Sequence, residues 1–166
     1  MTTRREFFVQ KQRKRYYRTV EIYHPTTGVE RYVDGTIDPI SFTLESDAPR
    51  NAGQTVEFEG TAFEYSQPEQ SQSTITMDIQ LGRVGTQIKH KLKQIKGADR
   101  AKSGEVIIRE YIAGESDVKY KLELYIRNIT MTMDGAAITC AQDDPSKQNV
   151  AEIYTSQRFP GLAESL

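Results

Sequence analysis

The chain has 166 residues, 37% of them hydrophobic and 27% charged, and carries a formal net charge of −1. That length suits one domain with a modest core beneath a very polar surface. Three features narrow the class: a net charge near zero gives no general attraction to nucleic acid or membrane. No apolar run approaches the ~20 residues of a membrane-spanning helix. Cys140 is the only cysteine, so no intrachain disulfide can form.

Charge is distributed unevenly. Residues 1–18 hold Arg4, Arg5, Lys11, Arg13, Lys14, Arg15 and Arg18 against Glu6 alone. Phe8, Gln12 and Tyr16 recur every fourth position, so 1–18 reads as a basic helical segment. No apolar stretch follows it as a secretory leader would require, and a cytoplasmic location is expected. A β-rich domain is expected over 19–145. TVEIY (19–23) is a strand, HPTTG (24–28) a turn with Pro25 and Gly28, and VERYV (29–33) the returning hairpin partner. Asp34-Gly35 marks another turn. ISFTLES (40–46) places Ile40, Phe42 and Leu44 on one face, and DAPRNAGQ (47–54) is a loop.

TVEFEG and TAFEYS (55–66) alternate Val56, Phe58, Phe63 and Tyr65 around Gly60, which predicts a hairpin there. QPEQSQS (67–73) lacks apolar residues and reads as an exposed loop. In STITMDIQL (73–81), Ile75, Met77, Ile79 and Leu81 alternate strictly with polar residues, the pattern of a half-buried strand. The period then changes. In GRVGTQIKHKLKQIKG (82–97), Val84, Ile88, Leu92 and Ile95 form one stripe of an otherwise basic helix. Lys93 and Lys96 suit its C-terminal dipole, and Gly97 its C′ position. The basic block runs from Arg83 to Lys102.

EVIIREYI (105–112) reads as a strand buried on both faces over part of its length. In KYKLELYIRNITMTM the apolar positions shift from even (Tyr120, Leu122, Leu124, Ile126) to odd (Ile129, Met131, Met133). That slip predicts a β-bulge near Arg127-Asn128. Asp134-Gly135 predicts a hairpin returning through AAITCAQ (136–142). The expected fold is mainly β: an antiparallel β-sandwich or partly open barrel, with the basic helix packed on the sheet and extended terminal segments.

Catalytic pairings are not evident. His24 precedes a proline in a turn, and His90 lies among lysines. Cys140 falls on a predicted strand as a small core residue, and Asp143-Asp144-Pro145 reads as a turn or cap. No phosphate-loop glycine pattern or metal-ligand spacing occurs. The chain is therefore expected to be no enzyme and to hold no cofactor or metal. The basic surface of Arg13, Lys14, Arg15, Lys89, Lys93 and Lys96, with Tyr16-Tyr17 beside it, leaves a nucleic-acid-binding module as the alternative function. No base-reading motif accompanies it, so sequence-specific binding is not expected. An enzyme acting on cell wall would be a third option, but lacks a Cys–His or paired-carboxylate pattern.

Residues 146–166 form an extended tail. Tyr154, Phe159, Pro160, Gly161 and Leu162 give it apolar anchors, a stiff φ and a flexible turn. It is expected to dock on its own sheet or on a neighbouring subunit.

The run TVEIYHP…GVERYV, then TVEFEGTAFEYSQPEQSQSTITMDIQL, the basic helix, a strand pair and the terminal FPG resembles the minor tail proteins of long-tailed bacteriophages. It is similar to the N-terminal domain of the lambda-type minor tail protein L. The resemblance implies a tail-tip hub or baseplate ring protein with a tail-tube-like β-sandwich. It would be a homotrimer whose sheets join between subunits. Its expected partners are the distal tail ring, the central tip or receptor-binding protein and the tape-measure protein. Its expected location is the virion tail tip, after assembly in the host cytoplasm. The lambda-type protein continues into a cysteine-rich iron–sulfur domain; with Cys140 alone here, no cluster is carried over.

Overall fold

A computed structural model of the chain describes residues 14–66, 69–71, 74–82, 90–91, 102–131 and 135–143. They form a mainly β fold: β1 (Tyr16–His24), β2 (Gly28–Asp34), β3 (Ile40–Thr43), β4 (Thr55–Thr61), β5 (Phe63–Tyr65), β6 (Glu69–Ser71), β7 (Thr74–Leu81), β8 (Glu105–Ile112), β9 (Tyr120–Met131) and β10 (Ala136–Ala141). Nine strands make one mixed sheet in the order β3-β4-β2-β1-β8-β9-β10-β7-β5, and β6 joins β7 beside this path. The sheet is not closed.

The β1–β2 hairpin follows the sequence expectation, with Gly28 at φ 84° and Thr27 N–H bonded to the His24 carbonyl at 3.2 Å. Its first strand begins earlier than expected. Tyr16, Tyr17 and Arg18 pair with Ile112, Tyr111 and Glu110, so they are strand and not helix. Cross-strand pairing to β8 outweighs a four-residue spacing that a strand's even positions satisfy equally well.

Two further expectations are corrected. β4 and β5 do not pair with each other around Gly60. β4 runs antiparallel to β3 and parallel to β2, whereas β5 pairs with β7. The expected antiparallel sheet is therefore mixed. Gly60 serves a close approach instead: a Cβ there would lie 2.6 Å from the Thr36 carbonyl oxygen. Ala62 alone separates β4 from β5, so the sheet curls until strands far apart in pairing order are consecutive in the chain. The stretch expected as an exposed loop contains β6, whose residues 69–71 pair with Thr74–Thr76. This polar segment joins the sheet through backbone pairing with β7.

The curl explains where the core lies. Inward-facing Val20, Ile22, Tyr32, Phe63, Met77, Ile79, Leu81, Val106, Ile108, Leu124, Ile138 and Cys140 form one buried cluster. Alternation puts these residues on one face in each strand. β8 is buried from Val106 through Ile112, as expected, because its other face is covered too. On that outer face the β3–β4 hairpin brings Phe42 and Phe58 onto Val33 and Tyr111, with Leu44 and Ala48. Phe42 stacks on Tyr111 with centroids 4.3 Å apart.

The predicted bulge is present. Thr139 pairs with Asn128 but Cys140 with Ile126, leaving Arg127 as the extra residue. Only His90 and Lys91 of the expected basic helix fall among the described residues, so its apolar stripe lies outside them. Lys91 pairs with Glu30.

Candidate functional site

The outer face of β2-β1-β8-β9 is charged where it is not apolar. Odd-numbered residues put Arg31 opposite Glu21 and Lys121 opposite Arg109 on this face, with Arg109 two residues along β8 from Ile107, the partner of Glu21. The 44–54 segment lies across them as a strap. Its internal bonds include Gly53 N–H to the Glu45 carbonyl at 3.0 Å and Leu44 N–H to the Gln54 carbonyl at 2.9 Å. Asn51, at φ 53°, makes the tight turn at its tip.

Glu21 is the centre of this cluster and is fully buried. Its carboxylate accepts from Arg31 Nε at 3.0 Å, Arg50 Nε at 3.0 Å and Arg109 Nη1 at 3.3 Å. Arg109, also fully buried, donates through Nε to Glu45 Oε2 at 2.9 Å. Arg50 Nη1 reaches Glu105 Oε2 at 2.6 Å, and its guanidinium lies 4.2 Å over the Tyr23 ring. Lys121 bonds Glu45 at 3.1 Å and Glu123 at 2.8 Å. Charges removed from water need such pairing.

The local electrostatics follow. Burial works against the Glu45 carboxylate, but the Arg109 and Lys121 bonds prevail and hold its pKa below the ordinary value. Burial also opposes the charge on Arg50, and the bonds to Glu105 and Glu21 more than offset it, raising its pKa. Burial pushes the Tyr111 hydroxyl up to about 12. Among the described residues, Arg50 Nη2, Arg109 Nη2 and Tyr111 Oη are buried with no hydrogen-bond partner.

A second polar group closes one end of the inner core. Tyr65 donates to Glu110 Oε1 at 2.7 Å, Tyr16 also bonds Glu110, and Arg18 pairs with Asp34. Arg18 lies 5.4 Å over the Tyr65 ring. Burial first, then the Glu110 bond, raises the Tyr65 hydroxyl pKa.

Neither group brings a nucleophile to a base. Cys140 is buried, and desolvation pushes its thiol up to about 12, the wrong direction for a reactive thiolate. His24 uses Nδ1 to accept the Thr26 N–H at 3.2 Å. No set of three metal-ligating side chains occurs among the described residues.

Of the sequence-predicted site residues, Lys14 and Arg15 are described. Lys14 pairs with Glu115 at 2.9 Å, and Arg15 donates to the Gly35 carbonyl. Arg13, Lys89, Lys93, Lys96, Tyr154, Phe159, Pro160, Gly161 and Leu162 lie outside the described residues. The strap cluster was missed in the sequence. Its signal was Arg109, a charge inside a strand that already reads as buried on both faces.

Neither a scan of protein-family models nor a search of curated proteins finds a match to this chain.

Proposed function

We propose that the chain is a structural, non-enzymatic subunit of a bacteriophage tail tip. In this reading it is a hub or baseplate ring protein that joins the tail tube to the distal tip proteins. The observation that carries it is the open sheet, whose pairing order ends in β3 on one side and β5 on the other. Edge strands present backbone donors and acceptors to another chain, which is how sheets extend between subunits. The curled sheet, with the β3–β4 hairpin laid over its outer face, fits a partly open barrel with one sandwich-like side. That form agrees with the tail-tube-like domain implied by the sequence resemblance.

The subunit then acts as a homotrimer in the virion, assembled in the host cytoplasm. Its neighbours are the distal tail ring, the central tip or receptor-binding protein and the tape-measure protein. Rings of this kind are closed symmetric assemblies, so one interface repeats at every subunit boundary. The test is genetic. Disrupting the gene in a phage that carries it should yield heads without functional tails, restored by supplying the protein in trans. Infectious tailed particles in its absence contradict the proposal.

A further inference from the structure

Among the described residues, Ile37 is the large hydrophobic side chain left in water, 94% exposed. A single exposed isoleucine needs no explanation by itself. Its support does. The loop that carries it lies directly on β4, where Gly60 lacks the Cβ that would come within 2.6 to 2.7 Å of the Thr36 and Ile37 backbone. Thr36 Oγ1 donates to the Asp38 carbonyl at 3.0 Å, and Arg15 donates to the Gly35 carbonyl. The loop backbone is held in place while the Ile37 side chain is displayed.

Beside it runs a groove of about 810 Å³, with Arg15, Ile37, Asp38, Glu59, Gly60 and Ala62 in its lining. That volume falls within the roughly 300–1,000 Å³ of ligand-binding clefts. Asp38 and Glu59 are exposed, and neither has an ion-pair partner among the described residues. The groove therefore offers one apolar contact and an uncompensated acidic rim.

We propose that this groove holds the N-terminal segment of the same chain, with Phe7-Phe8-Val9 packed on Ile37 and the flanking cations facing Asp38 and Glu59. Chain path, composition and charge support this occupant. Residues 1–13 lie outside the described residues, but Arg15 lines the groove itself, and its carbonyl accepts the Ala113 N–H at 2.8 Å. The chain thus reaches the sheet beside the loop. Phe7 is then within roughly 26 Å of Arg15 at ~3.3 Å per residue, ample for the groove. Phe7-Phe8-Val9 is the longest apolar run in 1–18, and Arg4, Arg5, Lys11 and Arg13 outweigh Glu6 around it. The other chain end fits worse. It leaves β10 at Ala141, which pairs with Thr76, whereas the groove residue Ala62 adjoins Phe63, the partner of Leu81 at the opposite end of β7. Its charges do not match either, with Lys147 and Arg158 against Asp144, Glu152 and Glu164.

This inference does not depend on the tail-tip reading, and its test uses the isolated full chain. Trypsin cuts after Arg and Lys, so Arg4, Arg5, Lys11 and Arg13 report whether the segment is docked. Ile37→Ser should speed cleavage within residues 1–13 at least threefold under native conditions. Asp38→Asn combined with Glu59→Gln should do the same, by a factor that shrinks as salt screens the charges. All three positions are exposed, so the fold is retained. Glu123→Gln removes a negative charge elsewhere and should leave the rate unchanged. Equal cleavage of the parent and Ile37→Ser overturns the assignment, as does an equal effect of Glu123→Gln. Protection that appears only as protein concentration rises overturns docking within one chain. Methyl NMR supplies a second readout: the Ile37 δ1 signal should lie upfield under a phenyl ring current and move to the random-coil position in Phe7→Ser/Phe8→Ser. An Ile37 methyl indifferent to that double substitution overturns the inference. A tail-tip role can fail in the genetic test without affecting any of these results.

Discussion

Replacing Glu21 by Gln should be among the most damaging isosteric changes in this protein. The carboxylate is fully buried and takes hydrogen bonds from Arg31, Arg50 and Arg109 at 3.0, 3.0 and 3.3 Å. Charge-assisted bonds contribute roughly 1.5–3 kcal/mol each, so the three together set an upper range of about 4.5–9 kcal/mol. Gln keeps an acceptor oxygen but turns an N–H₂ donor toward a guanidinium donor and leaves three cations without their common anion. Glu45 and Glu105 still compensate Arg109 and Arg50. The expected loss is therefore about 3–5 kcal/mol, the range for breaking a buried pair from one side. Urea unfolding measures it, with the slope m unchanged. Glu123→Gln is the control, because that side chain is 55% exposed and its bond to Lys121 should contribute only about 0–1 kcal/mol. A loss below about 1 kcal/mol for Glu21→Gln refutes the reasoning, since the cluster would then be no stronger than a surface pair.

Gly60→Ala should cost about 1–3 kcal/mol in chemical denaturation, because the new Cβ would meet Thr36 and Ile37 backbone atoms at 2.6 to 2.7 Å. Glu45 has a depressed pKa in the folded state, so its contribution is fully present above the ordinary value of 4.5 and is lost as pH falls through the lower folded value. Glu45→Gln should accordingly flatten the acid limb of a thermal-stability profile, and an unchanged limb contradicts the assignment. Deleting Arg127 should leave a folded protein, because it removes the bulged residue and keeps Ile126 and Ile129 on the inner face. Deleting Glu123 should not, because it puts part of β9 out of phase; circular dichroism and thermal unfolding of the two deletions compare them directly.

Local patterns were legible in the sequence and tertiary ones were not. Pro25 and Gly28 announce the first hairpin because turn chemistry is local. The bulge at Arg127 is legible because a one-residue slip reverses which positions are apolar. The absence of alternation in residues 105–112 correctly signals two covered faces. Gly60 misled because glycine marks both turns and close approaches, and only the fold shows the Thr36–Ile37 backbone crossing it. β6 carries no apolar signal, since its formation depends on an edge that β7 happens to offer. Tyr16–Arg18 pair with residues more than ninety positions away, and the parallel β2–β4 contact is likewise nonlocal. Glu21 looks like an ordinary outward residue between Val20 and Ile22. Its burial depends on the strap, which no spacing in the TVEIY stretch reveals.

The central proposal is that this chain occupies a ring at the distal end of a phage tail, and cryo-electron microscopy of intact virions tests it most directly. Density is expected at the tail tip, below the tube, into which the curled sheet fits as three copies related by threefold symmetry. Absence of the protein from the purified virion, or its presence only in the capsid, would contradict it.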